Sequence, residues 1–340
     1  MLPEQSSDPF GERIPLLRCK AVHVLGARFR FESNDPALLQ LVAAAYQGLP
    51  RHRLSARTPE VRVSLLASPV HSTAPARTPR RLAGREQPLP LDLLQASGFL
   101  GGVTPTSHSV ILSPSQRIGL VVVPRQMLRF PYHVRYELIE FAVFTLAARV
   151  QHLVPLHAAC VGIGGRGLLL MGPSGAGKST VALQCLLQGF DFLAEDSVFV
   201  APHSLLATGV ANFLHVRADS VAWLGRSREA SLIRRSPTIV RRSGVRKFEV
   251  DLRQNPFRSA RAPLKITGVV FLSPRRAGSQ PLLRSLSRPE ALTAMTREQG
   301  YAAIQPQWQA FSNKLAGLNT FELRRGDHPR EAAEVLAALL

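Results

Sequence analysis

The residues whose types and spacing can do chemistry lie between positions 157 and 196. The octapeptide GPSGAGKS, Gly172 to Ser179, matches the phosphate-loop pattern G-x-x-x-x-G-K-[ST] in full. Gly172, Gly175 and Gly177 permit backbone conformations and close approaches that a Cβ would obstruct. Amides from about Ser174 through Ala176 to Thr180 can then turn inward on phosphate oxygens, where a helix N-terminus adds partial positive charge. Lys178 can reach β- and γ-phosphates, and the Ser179 hydroxyl can ligate Mg²⁺. Soon after comes FDFLAEDSVFV, which sets Glu195 and Asp196 between two apolar runs. Adjacent carboxylates at a strand end can divide labour: one holds Mg²⁺, the other orients a hydroxyl and accepts its proton. Like charges so close also raise one pKa, which favours a base. His157, at the head of HAACVGIGG, can support a phosphate or an acid, although a lone histidine before an apolar run is more often a structural residue. Arg246 and Lys247 in GVRKFEVDL offer phosphate contacts or simply a solvated strand end.

These groups need elements to hold them. LLLM before the loop reads as a buried strand and KSTVALQCLLQ after it as a helix. LHAACVGI and GLLLM, joined by GGRG, read as two buried strands in a tight hairpin. Strands over 191–194 and 197–201 bracket the acidic pair, TGVVFLS (267–273) is a further buried strand, and PEALTAMTREQ and HPREAAEVLAALL are helices. Upstream, KAVHVLGARFRFE (20–32) alternates like a strand or hairpin. NDPALLQLVAAAYQGL (34–49) has the N-cap order Asp35 then Pro36 of a helix. EVRVSLLAS (60–68) is a strand, and SHSVILSPSQRIGLVVVP (107–124) a hairpin around SPSQ. The stretch from about 69 to 92, rich in Pro, Arg, Ser and Thr, reads as a long loop. YHVRYELIEFAVFTLAARV (132–150) is an amphipathic helix leading into a second domain. The expected fold class is α/β (α+β): a smaller N-terminal α/β domain over 1–131 and a phosphate-loop catalytic domain over 132–340.

The 340 residues carry 42 basic and 23 acidic side chains, a formal charge of +19. That balance suits an acidic partner or a phosphorylated substrate. The basic residues are scattered and interleave with few aromatics, so no specific nucleic-acid partner is expected. Cys19, Cys160 and Cys185 are too far apart and too few for a disulfide framework or a metal spacing. Cys160 and Cys185 lie in apolar runs and read as core residues. MLPEQSSDPFGERIPLLR has early acids and no apolar centre, so it does not read as a signal peptide. The most apolar run, LIEFAVFTLAARV, contains Glu140 and Arg149 and is too short to span a bilayer. No membrane insertion and a cytoplasmic location are the expectations.

The stretch PLHAACVGIGGRGLLLMGPSGAGKSTVALQCLLQGFDFLAEDSVFV resembles the catalytic domain of HPr serine kinase/phosphorylase, and more closely its relatives found with lasso-peptide tailoring pathways. The resemblance is specific over about 155–200. It implies a phosphate-loop kinase core of the type shared with phosphoenolpyruvate carboxykinase. It also implies ATP-dependent phosphorylation of a serine hydroxyl, a triphosphate held by Gly172 to Thr180, and Mg²⁺ at Ser179. The family's paired aspartates fall on Glu195 and Asp196 and its histidine on His157. With one aspartate lengthened to Glu195, Asp196 is favoured as base and Glu195 as the metal-side acid, alongside Lys178 as the catalytic cation. The family's E-I-R-G-x-G signature is missing from the nearest stretch, ATGVANFLHVRAD, which argues against HPr as the substrate. The resemblance also favours a homo-oligomer. The leading expectation is a serine kinase acting on a peptide or small protein. A kinase of small hydroxylated metabolites and a nucleotide-binding module without transfer stand as alternatives. Loop amides read phosphate and not base, so ATP and GTP are not told apart.

Overall fold

Alternation of apolar and charged residues decides the first sheet. The computed structural model describes residues 17–340 apart from 69–79, 83–84, 88–90, 105–107, 254–256 and 306. Strands β1 (Arg18–Val24) and β2 (Ala27–Ser33) form an antiparallel hairpin. Along β2, Ala27, Phe29 and Phe31 point into the core while Arg28 and Arg30 face solvent, the period of two that a half-buried strand requires. Asp35 caps the helix Pro36–Tyr46, its side chain accepting from the Ala37 amide at 2.9 Å. That helix is the crossover to β3 (Glu60–Ser68), which runs parallel to β2. Most of the expected 69–92 loop, like the N-terminal stretch before residue 17, lies outside the described residues. Within the loop, β4 (Arg80–Leu82) and β5 (Arg85–Gln87) pair with each other. Strands β6 (Asp92–Ala96), β7 (Phe99–Val103), β8 (Ser109–Ser113) and β9 (Ile118–Pro124) complete a seven-stranded sheet in the order β1-β2-β3-β9-β8-β7-β6. The expected hairpin around SPSQ is β8–β9.

A long helix follows, running through Pro131–His133, Val134–Ile139 and Glu140–Val150. Its second segment is a π-helical turn, a feature that recurs at functional sites because it re-aims side chains. Val134, Leu138, Ile139, Val143 and Leu146 share one apolar core with Phe29, Phe31, Val63 and Val121 of the first sheet. Phe199, from the second sheet, joins the same core, its ring 4.9 Å from that of Phe144. The helix therefore ties the two sheets together.

The second sheet contains β10 (Val154–Leu156), β11 (Ala159–Ile163), β12 (Arg166–Met171), β13 (Asp191–Ala194), β14 (Val198–Val200), β15 (Leu206–Gly209), β19 (Leu264–Arg276), β20 (Leu283–Ser285) and β21 (Asn319–Arg325). Its centre is β12, antiparallel to β11 and parallel to β19. GLLLM is apolar without a break because both faces are covered. Leu168 and Leu170 pack beneath the helices Lys178–Leu187 and Pro329–Ala337, whereas Leu169 and Met171 pack on the opposite side with Met295, Trp308 and Phe311. Gly209 passes so close to the end of β13 that a Cβ there would lie 2.6 Å from Ala194 Cβ and 2.8 Å from the Leu193 carbonyl oxygen. Only glycine lets β15 support the strand that presents the acidic pair.

A small third sheet, β16 (Phe213–Val216), β18 (Arg246–Asp251) and β17 (Thr238–Val240), stands over that end. Among the described residues no helix is long and apolar enough to cross a membrane.

Candidate active site

The phosphate loop is set by its two flanks. Strand β12 ends at Met171 and the helix Lys178–Leu187 begins at Gly177, so the loop occupies the carboxyl end of a central strand and the amino end of a helix. Gly172, Gly175 and Gly177 have φ of 147°, 83° and 105°, values that a side chain rarely adopts. Lys178 is 7% exposed and folds back on the loop, donating to the carbonyls of Gly172 at 2.6 Å and Pro173 at 3.4 Å. Burial pushes its ammonium below the usual lysine range, and Asp196 and Glu298 pull it back up. An arriving phosphate offers that cation a stronger, charged acceptor than two carbonyls. The Thr180 hydroxyl lies 2.7 Å from the Ser220 hydroxyl, which fastens the loop helix to the short helix Ala218–Ala222.

The two acids end β13 in different surroundings. Glu195 is 7% exposed. One of its oxygens accepts the backbone N–H of His215, and the other lies 3.4 Å from His215 Nδ1, 3.7 Å from Lys247 Nζ and 3.8 Å from Arg241. Asp196 is more open. Its Oδ1 is 3.2 Å from His157 Nδ1 and its Oδ2 is 3.6 Å from Arg241. Burial lowers the His157 pKa, assisted by Lys178 and Arg241 against the pull of Asp196. With its pKa held down, the imidazole beside Asp196 favours its neutral form. The buried Gln299 side chain grips the His157 backbone from both sides, accepting its N–H at 2.8 Å and donating to its carbonyl at 3.0 Å.

Beneath Glu195 the chain of contacts continues. His215 Nε2 lies 3.0 Å from the Tyr136 hydroxyl, which donates in turn to Glu249. Arg135 donates to the same hydroxyl at 2.7 Å and sits 3.3 Å from Glu249. Both come from the π-helical turn of the long helix. Burial alone would depress the His215 pKa, but Glu195 and Glu249 outweigh it and push it up to about 9. Both ring nitrogens then carry protons, matching an acceptor on either side. A basic group raised from 6.5 to about 9 contributes stability that is fully present below pH 6.5 and lost as pH rises through about 9. Lys247, held low by burial, titrates in the opposite sense, so the His215 contribution is read as a difference. The drop in melting temperature caused by His215→Gln should be largest near pH 6.5 and shrink steadily toward pH 9.5. A drop independent of pH would refute the charged state.

Two clefts meet at this point. The first, about 800 Å³, is walled by the phosphate loop, Asp219, Arg241 and Lys247. The second, about 830 Å³, is walled by Tyr136, Glu140, Phe141 and Phe144 of the long helix, by Leu153 and by the segment from Glu298 to Ala302. His157 and Asp196 line both. Glu140 in the second wall is pushed up to about 8, chiefly by burial with help from Asp196, against Arg135, His215 and Arg241.

No family model matches the chain, and neither does any curated protein. Among solved structures it aligns with the Hpr(Ser) kinase/phosphatase from Coxiella burnetii at 13% identity and a TM-score of 0.25, over 54% of this chain and 87% of that one.

The sequence-predicted residues Gly175, Ala176, Gly177, Lys178, Ser179, Thr180, Ser174, His157 and Asp196 are brought to one cleft. Glu195, although adjacent in sequence, does not line the loop cleft; it lines a cavity of about 450 Å³ on the third-sheet side, which Asp196 and Arg241 also border. Of the two basic candidates, Lys247 lines the loop cleft, while Arg246, its neighbour on β18, is exposed. Sequence reading missed Arg241, His215, Glu249, Tyr136 and Gln299. His215 lay in ATGVANFLHVRAD, a stretch read only for the signature it lacks. Arg241 sits beside RSG, a turn signal between the β-prone runs PTIV and VRKFEV that would have marked a hairpin.

Proposed function

We propose that the chain is an ATP-dependent phosphotransferase that moves a γ-phosphoryl group to the serine hydroxyl of a peptide or small protein. What supports this reading is one juxtaposition: Asp196 and His157 form the boundary of two clefts, one ending on a phosphate loop and the other open to an acceptor. A module that only binds nucleotide needs no second cleft behind its acid. The apolar wall of Phe141, Phe144 and Leu153 suits a peptide segment. Glu140, with its pKa near 8, stays protonated at neutral pH and can donate a hydrogen bond to a peptide carbonyl.

The proposed chemistry is an in-line displacement. Loop amides and Lys178 hold the β- and γ-phosphates, and Arg241 and Lys247 meet the negative charge that spreads over the transferring group. Asp196 orients the acceptor hydroxyl and takes its proton as the new O–P bond forms. The bond from Pγ to the β–γ bridging oxygen breaks, and ADP leaves with that electron pair. The neutral His157 keeps Asp196 turned toward the acceptor. Mg²⁺, entering with the nucleotide, would supply positive charge against the phosphates. Ser179 is the loop residue that would hold it, with the carboxylates of Asp196 and Asp219 on the same wall. Among the described residues no group of three or more His, Cys, Asp or Glu is poised to cage a metal, and Mg²⁺ needs none when phosphates supply most ligands.

The test is transfer from labelled ATP with Mg²⁺ to serine-containing peptides encoded beside the gene, against serine-to-alanine controls and small hydroxylated metabolites. Label on a seryl oxygen is the expected result. Tight nucleotide binding with no label on any peptide would sink the reading, and label on a metabolite alone would replace the acceptor class.

A further inference from the structure

We propose that Trp223 is the platform on which the nucleotide's base stacks, and that the site favours purine nucleotides through stacking area rather than through base-edge hydrogen bonds. The proposal rests on the phosphate-loop reading and goes beyond it, since amides that grip phosphates leave the base unread.

The chain has two tryptophans. Trp308 is 6% exposed and sits in the core, whereas Trp223 is 48% exposed and lines the cleft of the phosphate loop. Its place is set by the loop. The Thr180–Ser220 hydroxyl contact fixes the helix Ala218–Ala222 against the first turn of the loop helix. Trp223 follows that helix in right-handed helical conformation, φ −64° and ψ −16°. It stands three residues after Ser220, on the same face and about 4.5 Å further along. A nucleotide whose α-phosphate lies at the end of the loop must send its ribose and base away from the loop along this wall. The indole stands one helical turn from Ser220, the residue that touches the loop helix at Thr180, and lines the same cleft as the loop.

The ring is also held ready. His328 meets it edge-to-face, with centroids 5.1 Å apart at 82°, and His328 Nε2 lies 3.3 Å from the Trp223 carbonyl oxygen. His328 is itself fixed as the N-cap of the helix Pro329–Ala337, its Nδ1 accepting the Arg330 N–H at 3.0 Å and its own N–H donating to Glu331 at 3.1 Å. An edge-to-face partner restrains the indole while leaving a face for a stacked ring. Arg217 and Arg325 on the same wall, one 3.2 Å from Asp219 and the other donating to the Gly175 carbonyl at 3.4 Å, add positive charge that attracts the phosphates. Purines cover more of an indole than pyrimidines do.

The experiment uses the full chain and compares ADP, GDP, CDP and UDP with pyrophosphate, which carries the phosphates without a base, by calorimetry and by indole fluorescence. Nucleoside diphosphates avoid turnover. In the wild type, ADP and GDP should bind about 10- to 100-fold more tightly than pyrophosphate, the size of one base–aromatic stack, with CDP and UDP between. Trp223→Ala should remove that advantage and leave pyrophosphate affinity unchanged, and Trp223→Phe should retain most of it. ADP should quench wild-type indole emission and leave that of Trp223→Phe, which reports Trp308, unaltered. ADP affinity unchanged in Trp223→Ala would overturn the proposal, as would equal losses for ADP and pyrophosphate, which mark a merely structural role. If the wild type binds neither ligand, the phosphate-loop reading falls and the platform with it.

Discussion

Asp196→Asn should abolish phosphoryl transfer while leaving nucleotide binding within a few-fold of the wild type. Loss of a positioned general base lowers turnover on the order of 10² to 10⁴. Asparagine keeps the shape and can still face His157 Nδ1, but it cannot take up the acceptor's proton. The exposed side chain makes the substitution mild for the fold: Asp196 is about 40% exposed, and its contacts to His157 and Arg241, at 3.2 and 3.6 Å, are of the kind that contribute about 1 kcal/mol or less. ADP affinity and the thermal midpoint are therefore the internal controls. Retained turnover would remove Asp196 from the chemistry. Lost ADP affinity would mean that it holds the nucleotide rather than the acceptor.

Glu195→Gln should do the reverse, damaging stability more than chemistry. The wild-type carboxylate is a buried anion with three cationic neighbours, His215, Lys247 and Arg241, at 3.4 to 3.8 Å. Glutamine preserves volume and still accepts from the His215 amide. It removes the shared counter-charge from a site shielded from water, leaving His215 with Glu249 and Arg241 with Asp196 while Lys247 loses its carboxylate contact, and breaking a buried pair in this way costs about 3–5 kcal/mol. The measurement is chemical denaturation at pH 7, beside the Mg²⁺ dependence of transfer at a temperature where the variant is folded. A residue that chiefly held metal would show a displaced Mg²⁺ dependence with an unchanged denaturation midpoint. That pattern would return Glu195 to the role its sequence position predicts.

This pair of variants marks where sequence reading stopped. Glu195 and Asp196 look equivalent in FDFLAEDSVFV, and their assignment to metal and base followed a family pattern. The environments that separate them come from elsewhere. His215 lies on β16, Lys247 on β18, and Arg241 follows β17, all strands of a small sheet with short runs and weak alternation. Tyr136 and Arg135 reach the same network from the long helix, 79 and 80 residues before His215 in sequence. No local pattern announces contacts at such separations. The π-helical turn that aims those two side chains was likewise hidden, since its sequence reads as an ordinary amphipathic helix.

Sequence alone determined the glycine-rich loop with its flanking strand and helix, the hairpin around SPSQ, the β-character of 20–32, and the position of the acidic pair at a strand end. Each is written in neighbouring residues: a glycine spacing, a period of two, a turn between apolar runs. Tertiary structure alone decided that Asp196 lines the loop cleft while Glu195 turns into a cluster of cations, that Gln299 steadies His157, and that Trp223 lines the loop cleft. These outcomes depend on which distant strands and helices pack together, and burial and charge compensation act across that packing rather than along the chain.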